Sequence, residues 1–275
     1  MKNKQYAEIL LPKKIGPVDK TLTYNIPESL KDASVGQLVE VPLRNRTEKG
    51  VIVNIHSKKP PYATKEIQRI VESAPHLAKW QIQMMHWIAD YYFAPHFKAL
   101  RLFLPATFIR KKKLKSLPPE ETQLMEQELK FQHTLSEEQQ QAIKTIKSTE
   151  KKVCLVHGIT GSGKTEIYLH IVEESLKEGK QVLILIPEIS LTPQMCQRFQ
   201  AHFNEKTVAI HSQLTPKQKE QAWQNIHQGQ AKIIIGSRSA IFAPFQNLSY
   251  IIIDEEHDNC YKQDQAPRYD VKEVA

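Results

Sequence analysis

Two short stretches of the sequence contain residue types whose spacing suits phosphate chemistry, and the first is an octet. Residues 158–165 read GITGSGKT, which has the pattern G-x-x-x-x-G-K-T. The octet follows the apolar run 153–156 and precedes a helical pattern, as a phosphate-binding P-loop requires. Its glycines let backbone N–H groups turn inward around a phosphate, and the following helix N-terminus adds a favourable dipole. The alternative, a glycine-rich turn with an incidental lysine, is disfavoured by the complete octet.

The octet gives individual residues a chemical role. Lys164 can reach the β- and γ-phosphates of ATP, and the Thr165 hydroxyl can coordinate Mg²⁺. We expect the remaining contacts with the cofactor from Gly158, Thr160, Gly161, Ser162 and Gly163. The sequence therefore predicts an ATP site in which Thr165 is one of two metal ligands.

Gln139, one helix before the octet, has two interpretations that are compatible with each other. Ser136 is a predicted helix N-cap, and Gln139 stands at the capping-box position three residues later. A glutamine one helix before a P-loop strand can also read the adenine edge through its amide group. We therefore include Gln139 among the expected contacts with ATP.

The second stretch is an acidic pair that ends an apolar run. Residues 250–253 read YIII and are followed by Asp254 and Glu255. Asp254 can hold Mg²⁺ through its water shell, and Glu255 can polarise the water that attacks the γ-phosphate. An ordinary acidic turn is the alternative interpretation. Downstream of a complete octet, however, the pair indicates a catalytic site formed by Lys164, Asp254 and Glu255.

The elements that position these residues alternate between strands and helices. Predicted strands cover 153–157, 182–186, 208–211, 232–235 and 250–253. Predicted helices cover 166–177, 191–203 and 216–227. Apolar, β-branched runs between amphipathic helices predict a buried parallel sheet with helices on both faces. The expected fold of residues 133–275 is therefore α/β, a RecA-like P-loop NTPase lobe.

Residues 1–105 have a different pattern and predict a small, mostly antiparallel β domain. Runs rich in β-forming residues cover 6–11, 22–26, 37–41 and 50–55, with turn signals between them and Pro42 after the third. Residues 79–93 predict a helix at the end of this domain. Most of its aromatic residues are expected in the core, and one is a candidate for stacking on a nucleic-acid base.

Residues 106–132 predict a basic and polar linker between the two domains. Residues 110–115 read RKKKLK, and residues 120–130 predict a polar helix rich in glutamate and glutamine. The basic run either contacts nucleic-acid phosphates or is a solvated linker, and the sequence favours the linker.

The composition limits the classes of partner. The chain has 275 residues and a net charge of +8, so a polyanionic partner is expected. Three scattered cysteines without a C-x-x-C pair disfavour a zinc site or a disulfide framework, and no zinc is expected. No apolar run reaches the length of a membrane span, and the N-terminus has no signal-peptide core. We therefore expect a cytoplasmic protein without a membrane partner.

Together, these motifs resemble the PriA family of bacterial replication-restart proteins (primosomal protein N-prime), which are superfamily 2 DNA helicases. The most specific strings are LIPEISLTPQ at 185–194, GSRSAIFAPF at 236–245 and DEEHDNCYKQ at 254–263. The resemblance is strong over residues 133–275 and looser over 1–105. The family holds the 3′ end of a nascent strand in its N-terminal domain, and there the sequence departs from the family pattern. Leu22 and Thr23 stand where an aromatic and an acidic residue are usual, and Arg44 stands where glycine is usual.

The resemblance implies a component of an ATP- and Mg²⁺-dependent 3′→5′ DNA helicase that restarts stalled replication forks in the bacterial cytoplasm, at the nucleoid. Its implied partners are forked and single-stranded DNA, other primosome proteins and the single-stranded-DNA-binding protein. The implied DNA-binding residues are Arg238, Tyr261, Lys262, Arg268 and Tyr269. A buried ion pair is the alternative role for Arg238.

The resemblance also implies parts that this sequence lacks. The family has a winged-helix domain between the two predicted domains and a second helicase lobe after the acidic pair. We therefore expect a truncated chain, and we keep a second hypothesis, a DNA- and nucleotide-binding fragment without helicase activity. A P-loop NTPase that acts on a small molecule or a protein is disfavoured by the basic charge and the helicase-type strings.

Overall fold

The N-terminal domain is built on an antiparallel sheet. The computed structural model describes residues 4–16, 21–72, 74, 76–109, 135–159, 161–187, 199, 202–203 and 207–275. The strands are β1 (Tyr6–Leu10), β2 (Leu22–Asn25), β3 (Leu38–Leu43), β4 (Arg46–His56) and β5 (Arg69–Ile70). Their order in the sheet is β2-β1-β4-β3-β5. The sequence prediction of a small antiparallel domain is confirmed, and β5 is an addition to it.

The hairpin between β3 and β4 turns at Arg44. Leu43 pairs with Arg46, so the loop consists of Arg44 and Asn45. Arg44 has φ 53°, and it is the first central residue of a two-residue loop, where glycine is preferred because it tolerates positive φ. The position at which glycine was expected therefore has a left-handed backbone, and arginine adopts it here.

The prediction that Pro42 ends the third strand is wrong. β3 continues through Pro42, which pairs with Thr47 of β4. On its other side, β3 pairs with β5 only at Val39 and Glu40. Among the described residues, no strand pairs with β3 beside Pro42 on this side, so the position tolerates a residue that has no N–H to donate.

Three helices follow this sheet and lead towards the second domain. They are α1 (Lys79–Tyr91), α2 (His96–Leu100) and α3 (Ala106–Ile109). The predicted helix over 79–93 is confirmed, although it ends two residues earlier than predicted. Phe93 follows the end of α1 with φ 49°, the left-handed conformation that often terminates helices.

The C-terminal domain is an α/β lobe with a parallel sheet. Its strands are β6 (Gln181–Leu185), β7 (Thr207–Ile210), β8 (Ile233–Gly236) and β9 (Leu248–Ile253), in the order β7-β8-β6-β9. Its helices are α4 (Glu137–Ser148), α5 (Lys164–Lys177), α6 (Pro216–His227) and α7 (Val271–Val274). Successive residues of β6 enter two different hydrophobic clusters, one on each face of the sheet. The predicted α/β fold class is confirmed.

One predicted strand of this lobe is absent. Residues 153–157 have no strand pairing, and the side chains of Val153 and Leu155 are 85% and 74% exposed. β9 pairs with β6 on one side, and no strand among the described residues pairs with its other side. A parallel strand acquires its backbone hydrogen bonds from neighbours that lie far away in sequence. An apolar run that contains β-branched residues therefore remains outside the sheet here.

The two domains share one hydrophobic core. Phe103, which follows α2, packs edge-on against Phe242 of the lobe, with ring centroids 5.1 Å apart. Gln81 of α1 is fully buried and donates from Nε2 to the carbonyl oxygen of Phe242 (3.2 Å). Tyr92 accepts a hydrogen bond from the Asp270 backbone N–H (3.1 Å). The end of the N-terminal domain thus packs directly against the lobe.

Several sequence predictions fall outside the described residues. They are the basic run 110–115, the polar helix 120–130, Thr160 and most of the helix 191–203. Within the described ranges, no helix combines the length and apolar character that a membrane crossing requires.

Candidate nucleotide site and its neighbours

The described residues of the octet form a loop that leads into the N-terminus of α5, which begins at Lys164. Gly161 and Gly163 both have φ 81°, a conformation that L-residues with a side chain adopt at a cost. A Cβ added to Gly158 would lie 2.6 Å from Ser162 Oγ, so the loop also closes tightly on itself. The backbone conformation therefore favours glycine at two of the predicted positions, and a close side-chain contact favours it at a third.

Lys164 is the first residue of α5, and its side chain folds back over the loop. Its Nζ donates to the carbonyl oxygens of Gly158 (2.8 Å) and Ile159 (3.2 Å). These neutral acceptors are weaker partners for an ammonium group than phosphate oxygens are. Thr165 is exposed in the first turn of α5, where the helix N-terminus presents its backbone N–H groups. The loop therefore offers a lysine, a hydroxyl and a helix dipole to a phosphate.

Gln139 reaches this loop from α4. Its Oε1 accepts from the Ser136 backbone N–H (2.9 Å), and Ser136 Oγ accepts from the Gln139 backbone N–H (3.2 Å). The predicted capping box is thus present. Gln139 Nε2 also donates to the carbonyl oxygen of Gly163 (3.3 Å). The amide therefore lies beside the phosphate loop, and its contact with adenine remains a prediction.

The acidic pair follows β9, and one of its members contacts the P-loop helix. The backbone N–H of Asp254 donates to the carbonyl oxygen of Leu185 (2.9 Å), which extends the β6–β9 pairing by one residue. The hydroxyl of Tyr168, on α5, donates to Asp254 Oδ1 (3.4 Å). Tyr168 lies one helical turn after Thr165. The two predicted metal ligands lie on α5 (Thr165) and at the end of β9 (Asp254). These two elements therefore contact each other through Tyr168.

The same contact perturbs Tyr168. Burial raises its pKa, and the negative charges of Asp254 and Glu255 raise it further, to about 12. The hydroxyl therefore keeps its proton at neutral pH and acts as a donor. The sequence analysis missed Tyr168, although its spacing of three residues from Thr165 was a usable signal, since such residues share a helix face.

Glu255 has an unusual backbone. Its φ is 47°, which costs a non-glycine residue roughly 1–2 kcal/mol. Its side chain is exposed, and its Oε2 lies 3.7 Å from Nε2 of His257. Strained residues of this kind cluster at functional sites, where the surrounding structure maintains them. The strained backbone thus belongs to Glu255, the residue that the sequence analysis predicts to polarise the attacking water.

The donor chemistry of the site suits Mg²⁺ held jointly with a nucleotide. Among the described residues, no group of three or more His, Cys, Asp or Glu side chains could hold a metal by itself. Mg²⁺ is usually bound by one or two carboxylates together with substrate phosphates and water, and does not need an all-protein cage. Asp254 and Thr165 provide oxygen ligands of this kind, so the residues present fit the ion.

Two of the predicted DNA-binding residues are buried. Tyr261 and Tyr269 are only 1% and 2% exposed, so neither ring lies on the surface of the described structure, and DNA binding by these two residues stays a prediction. Both rings fill the core that the two domains share, because an aromatic side chain gains most when its large apolar surface leaves water. The sequence signal, aromatic residues among basic ones, does not distinguish this burial from an exposed stacking surface.

Tyr261 instead supports the acidic pair. Its hydroxyl lies 2.6 Å from the carbonyl oxygen of Asp254 and 3.0 Å from that of Leu185, and it can donate to one of them at a time. Burial is the main cause that raises its pKa, so the donor stays protonated. Tyr261 therefore fixes the backbone of Asp254 at the end of the sheet.

Arg238 holds the loop that carries Tyr261. Its guanidinium donates to the carbonyl oxygens of Cys260 (2.8 Å) and Lys262, and lies over the ring of Tyr269 at 6.0 Å from the centroid. Burial raises the pKa of Tyr269 to about 12, although the nearby guanidinium opposes this shift. These contacts with carbonyl groups differ from the buried ion pair considered for Arg238, and DNA binding by it remains a prediction.

The exposed cations of the predicted cluster are Lys262 and Arg268. Lys262 Nζ lies over the ring of Tyr92 at 5.6 Å, and Arg268 Nε donates to the carbonyl oxygen of Asp264 (3.1 Å). Nearby on α1, Trp87 and Tyr91 stack with centroids 4.9 Å apart and are partly exposed. The loop and α1 thus present basic and aromatic groups on neighbouring surfaces.

The N-terminal sheet carries a second polar site, around Glu8. This carboxylate accepts hydrogen bonds from Thr21 and Thr23 (2.7 Å each), and Nε2 of His56 lies 3.2 Å away. Burial raises the pKa of Glu8, but the hydrogen bonds and His56 outweigh this, and the resulting pKa is below the usual value. Tyr62, which is exposed, hydrogen-bonds Thr23 (3.0 Å). The ionised carboxylate of Glu8 therefore lies on β1, directly opposite Thr23 of β2. Thr23 is the position at which the family usually has an acidic residue.

The family models match both domains. A DEAD/DEAH box helicase model matches residues 136–272, and a 3′ DNA-binding domain model of PriA matches residues 8–105. One solved structure, a SWI2/SNF2 ATPase C-terminal domain from Sulfolobus solfataricus, shares 18% identity. It matches 35% of this chain and 52% of that one with a TM-score of 0.25, which is too low to inform the fold.

Curated relatives match nearly the whole chain. A replication restart protein PriA from Rickettsia conorii is 37% identical over 273 residues, which are 98% of this chain and 40% of that protein. The PriA of Helicobacter pylori strain J99 is 38% identical over 87% of this chain and 36% of its own length. That of Bacillus subtilis is 51% identical over 145 residues, 51% of this chain and 18% of the relative. The chain thus spans at most 40% of these three relatives. Over the residues that the matches cover, it belongs to the PriA family of replication restart proteins.

Proposed function

We propose that this chain is the nucleotide-binding lobe and the DNA-binding domain of an ATP-dependent 3′→5′ DNA helicase that restarts stalled replication forks. The observation that carries the proposal is the convergence of predicted site residues on α5. Lys164 and Thr165 begin this helix, Gln139 contacts the loop before it, and Asp254 is hydrogen-bonded to it through Tyr168. The proposed cofactors are ATP and Mg²⁺.

Each residue has a defined part in the proposed reaction. Lys164 exchanges its loop carbonyls for phosphate oxygens, and the N–H groups at the start of α5 donate to the same phosphates. When bound, Mg²⁺ neutralises phosphate charge. Thr165 and Asp254 would hold it. Glu255 orients and polarises the attacking water, for which its exposed side chain is suited.

The proposed partner is DNA, contacted through both domains. The net charge of +8 favours a polyanion, and Lys262 and Arg268 present exposed cations in the segment that follows the acidic pair. Arg238 ties this basic loop to the end of β8, so a strand bound there is mechanically connected to Asp254 through Tyr261. Primosome proteins and the single-stranded-DNA-binding protein are further proposed partners, and the cytoplasmic nucleoid is the proposed location.

We also propose how the N-terminal domain compensates for Thr23. The 3′ end of a strand differs from its interior by a free hydroxyl without a following phosphate. A carboxylate accepts a hydrogen bond from that hydroxyl and repels a phosphate. Glu8 is the cross-strand partner of Thr23, so it provides the acidic group from the adjacent strand. The exposed ring of Tyr62 beside it is suited to stacking on the terminal base.

A second candidate function is a module that binds DNA and nucleotide without turnover. The observation that favours it is that residues 153–157, which precede the P-loop, form no strand and lie outside the described sheet. A phosphate loop without that support is less well preorganised for a transition state. Single-turnover hydrolysis of ATP with and without single-stranded DNA separates the two candidates.

Calorimetry with Mg-ADP tests the nucleotide site. We expect Lys164→Ala to abolish measurable binding, while Lys152→Ala, a control outside the octet, retains it. Equal affinity of the wild-type chain and Lys164→Ala would contradict the proposal.

DNA binding is tested by fluorescence anisotropy at several salt concentrations. We expect the logarithm of the affinity to fall linearly with the logarithm of the salt concentration, and a flat response would contradict binding through phosphates.

A further inference from the structure

One hydroxyl joins the P-loop helix to the acidic pair. Tyr168 lies on α5 one turn after Thr165, and its hydroxyl donates to Oδ1 of Asp254 across the gap between α5 and the end of β9 (3.4 Å). The reaction proposed above gives this tyrosine no role. Its ring packs against the hydrophobic cluster between α5 and the sheet, which restrains the direction in which the hydroxyl points.

The other contacts of Asp254 with the described part of the chain are made by its backbone. Its N–H donates to the carbonyl oxygen of Leu185 (2.9 Å), and its own carbonyl oxygen lies 2.6 Å from the hydroxyl of Tyr261. Neither contact determines how the carboxylate rotates about its side-chain bonds. A metal ligand needs a defined rotation, and second-shell hydrogen bonds commonly provide it.

We propose that Tyr168 is a positioning residue that orients the carboxylate of Asp254 towards the Mg²⁺-bound nucleotide. This assignment rests on the function proposed above. Tyr168 keeps Oδ1 directed at α5, the helix that begins with Lys164 and Thr165, so that both predicted metal ligands serve one ion. It touches neither the nucleotide nor the metal, and it acts only through Asp254.

Tyr168→Phe isolates this role, because phenylalanine keeps the packing of the ring and removes only the hydroxyl. The experiment is calorimetry of ADP binding to the full chain at increasing Mg²⁺ concentrations and in the absence of Mg²⁺. We expect the affinity without Mg²⁺ to stay within about twofold of wild type, and the gain from Mg²⁺ to decrease by roughly three- to tenfold, the size of one typical hydrogen bond. Thermal unfolding of the variant without ligand should resemble that of the wild type.

Tyr24→Phe is the matched control. Its hydroxyl donates to the carbonyl oxygen of Pro42 in the N-terminal sheet (3.1 Å), so its loss should leave the response to Mg²⁺ unchanged. An unchanged gain from Mg²⁺ in Tyr168→Phe would overturn the assignment. An equal loss of affinity with and without Mg²⁺ would overturn it too, since that pattern indicates a structural role. A wild-type chain that binds ADP with no gain from Mg²⁺ would instead overturn the metal site of the proposed function.

Discussion

The two sheets of the molecule differ in how their strands find partners. In the N-terminal sheet, β3 and β4 form a hairpin with a two-residue loop, and all the pairings between strands are antiparallel. In the lobe, the pairings between the four described strands are all parallel, and β6 pairs with β8 and β9 while β7 lies beside β8. Residues 153–157 have the composition of a strand and remain outside this second sheet.

The difference shows what a local pattern can determine. A hairpin strand lies close to its partner along the chain, so turn residues and alternation together specify the pair. A parallel strand needs a crossover connection, and its neighbour is not specified by the adjacent sequence. Strand propensity at 153–157 therefore predicts an extended backbone but not a partner. β9 leads to the same conclusion, because no strand among the described residues pairs with its second side.

The largest effect is expected where the two regions meet. Phe103 is fully buried and packs against Phe242, so Phe103→Ala should lower the free energy of unfolding by about 3–5 kcal/mol. Because the core is continuous, both domains should unfold in one transition at a lower temperature. Urea titration measures the free energy of unfolding, and calorimetry measures the number and the temperature of the transitions. The control is Phe93→Ala, whose side chain is 97% exposed and whose removal should cost little.

Two separate transitions, with only the N-terminal one shifted in Phe103→Ala, would contradict this prediction. The domains would then be independent units, and the comparison between the two sheets would concern two separately stable folds.

The second effect contrasts a paired strand with the unpaired segment. Leu183, in the middle of β6, is fully buried, so Leu183→Ala should cost about 2–5 kcal/mol. Leu155, in the unpaired segment, is 74% exposed, so Leu155→Ala should change stability by less than about 0.5 kcal/mol. Denaturant titration of both variants provides the comparison. A large cost for Leu155→Ala would mean that the segment is a buried strand in solution.

Sequence reasoning predicted the elements better than the positions of side chains. The helix 216–227 and the strands on either side of it follow from periodicity, capping residues and glycine, which act locally. The octet and the acidic pair were identifiable because their chemistry requires fixed residue types. The burial of Tyr261 and Tyr269 depends on a core shared with the N-terminal domain, which no local pattern specifies. The role of Tyr168 likewise depends on a contact with a residue of β9 that is distant in sequence.

A smaller effect concerns the pH dependence of the N-terminal sheet. The pKa of Glu8 is below its ordinary value of 4.5, because hydrogen bonds and His56 outweigh the effect of burial. A carboxylate whose pKa is lowered on folding contributes stability above its unfolded-state pKa, and this contribution is lost as the pH falls through the folded-state value. Between pH 7 and pH 3, Glu8→Gln should therefore lose less stability than the wild type does. Urea titrations at several pH values measure the slope.

Glu72→Gln is the matched control, since Glu72 is exposed. A Glu8→Gln chain with the same acid sensitivity as the wild type would show that the carboxylate does not stabilise this sheet.

The same variant also tests the proposed recognition of the 3′ end. Wild type should prefer an oligonucleotide with a 3′ hydroxyl over one with a 3′ phosphate, and Glu8→Gln should lose that preference.

The smallest effect lies in the turn that defines the N-terminal hairpin. Arg44 has φ 53°, which costs a residue with a Cβ roughly 1–2 kcal/mol, and glycine removes that cost. Glycine also increases the entropy of the unfolded chain, which returns about 0.5–1 kcal/mol. Arg44→Gly should therefore stabilise the chain by a net of about 0.5–1 kcal/mol. The control Arg46→Gly lies within β4, where a glycine gains nothing from positive φ and weakens the strand, so it should destabilise. If Arg44→Gly destabilises as much as Arg46→Gly does, the arginine side chain must make a stabilising contribution that outweighs its strained backbone. The hairpin would then depend on more than turn geometry, and the N-terminal sheet would be less locally determined than its contrast with the parallel sheet suggests.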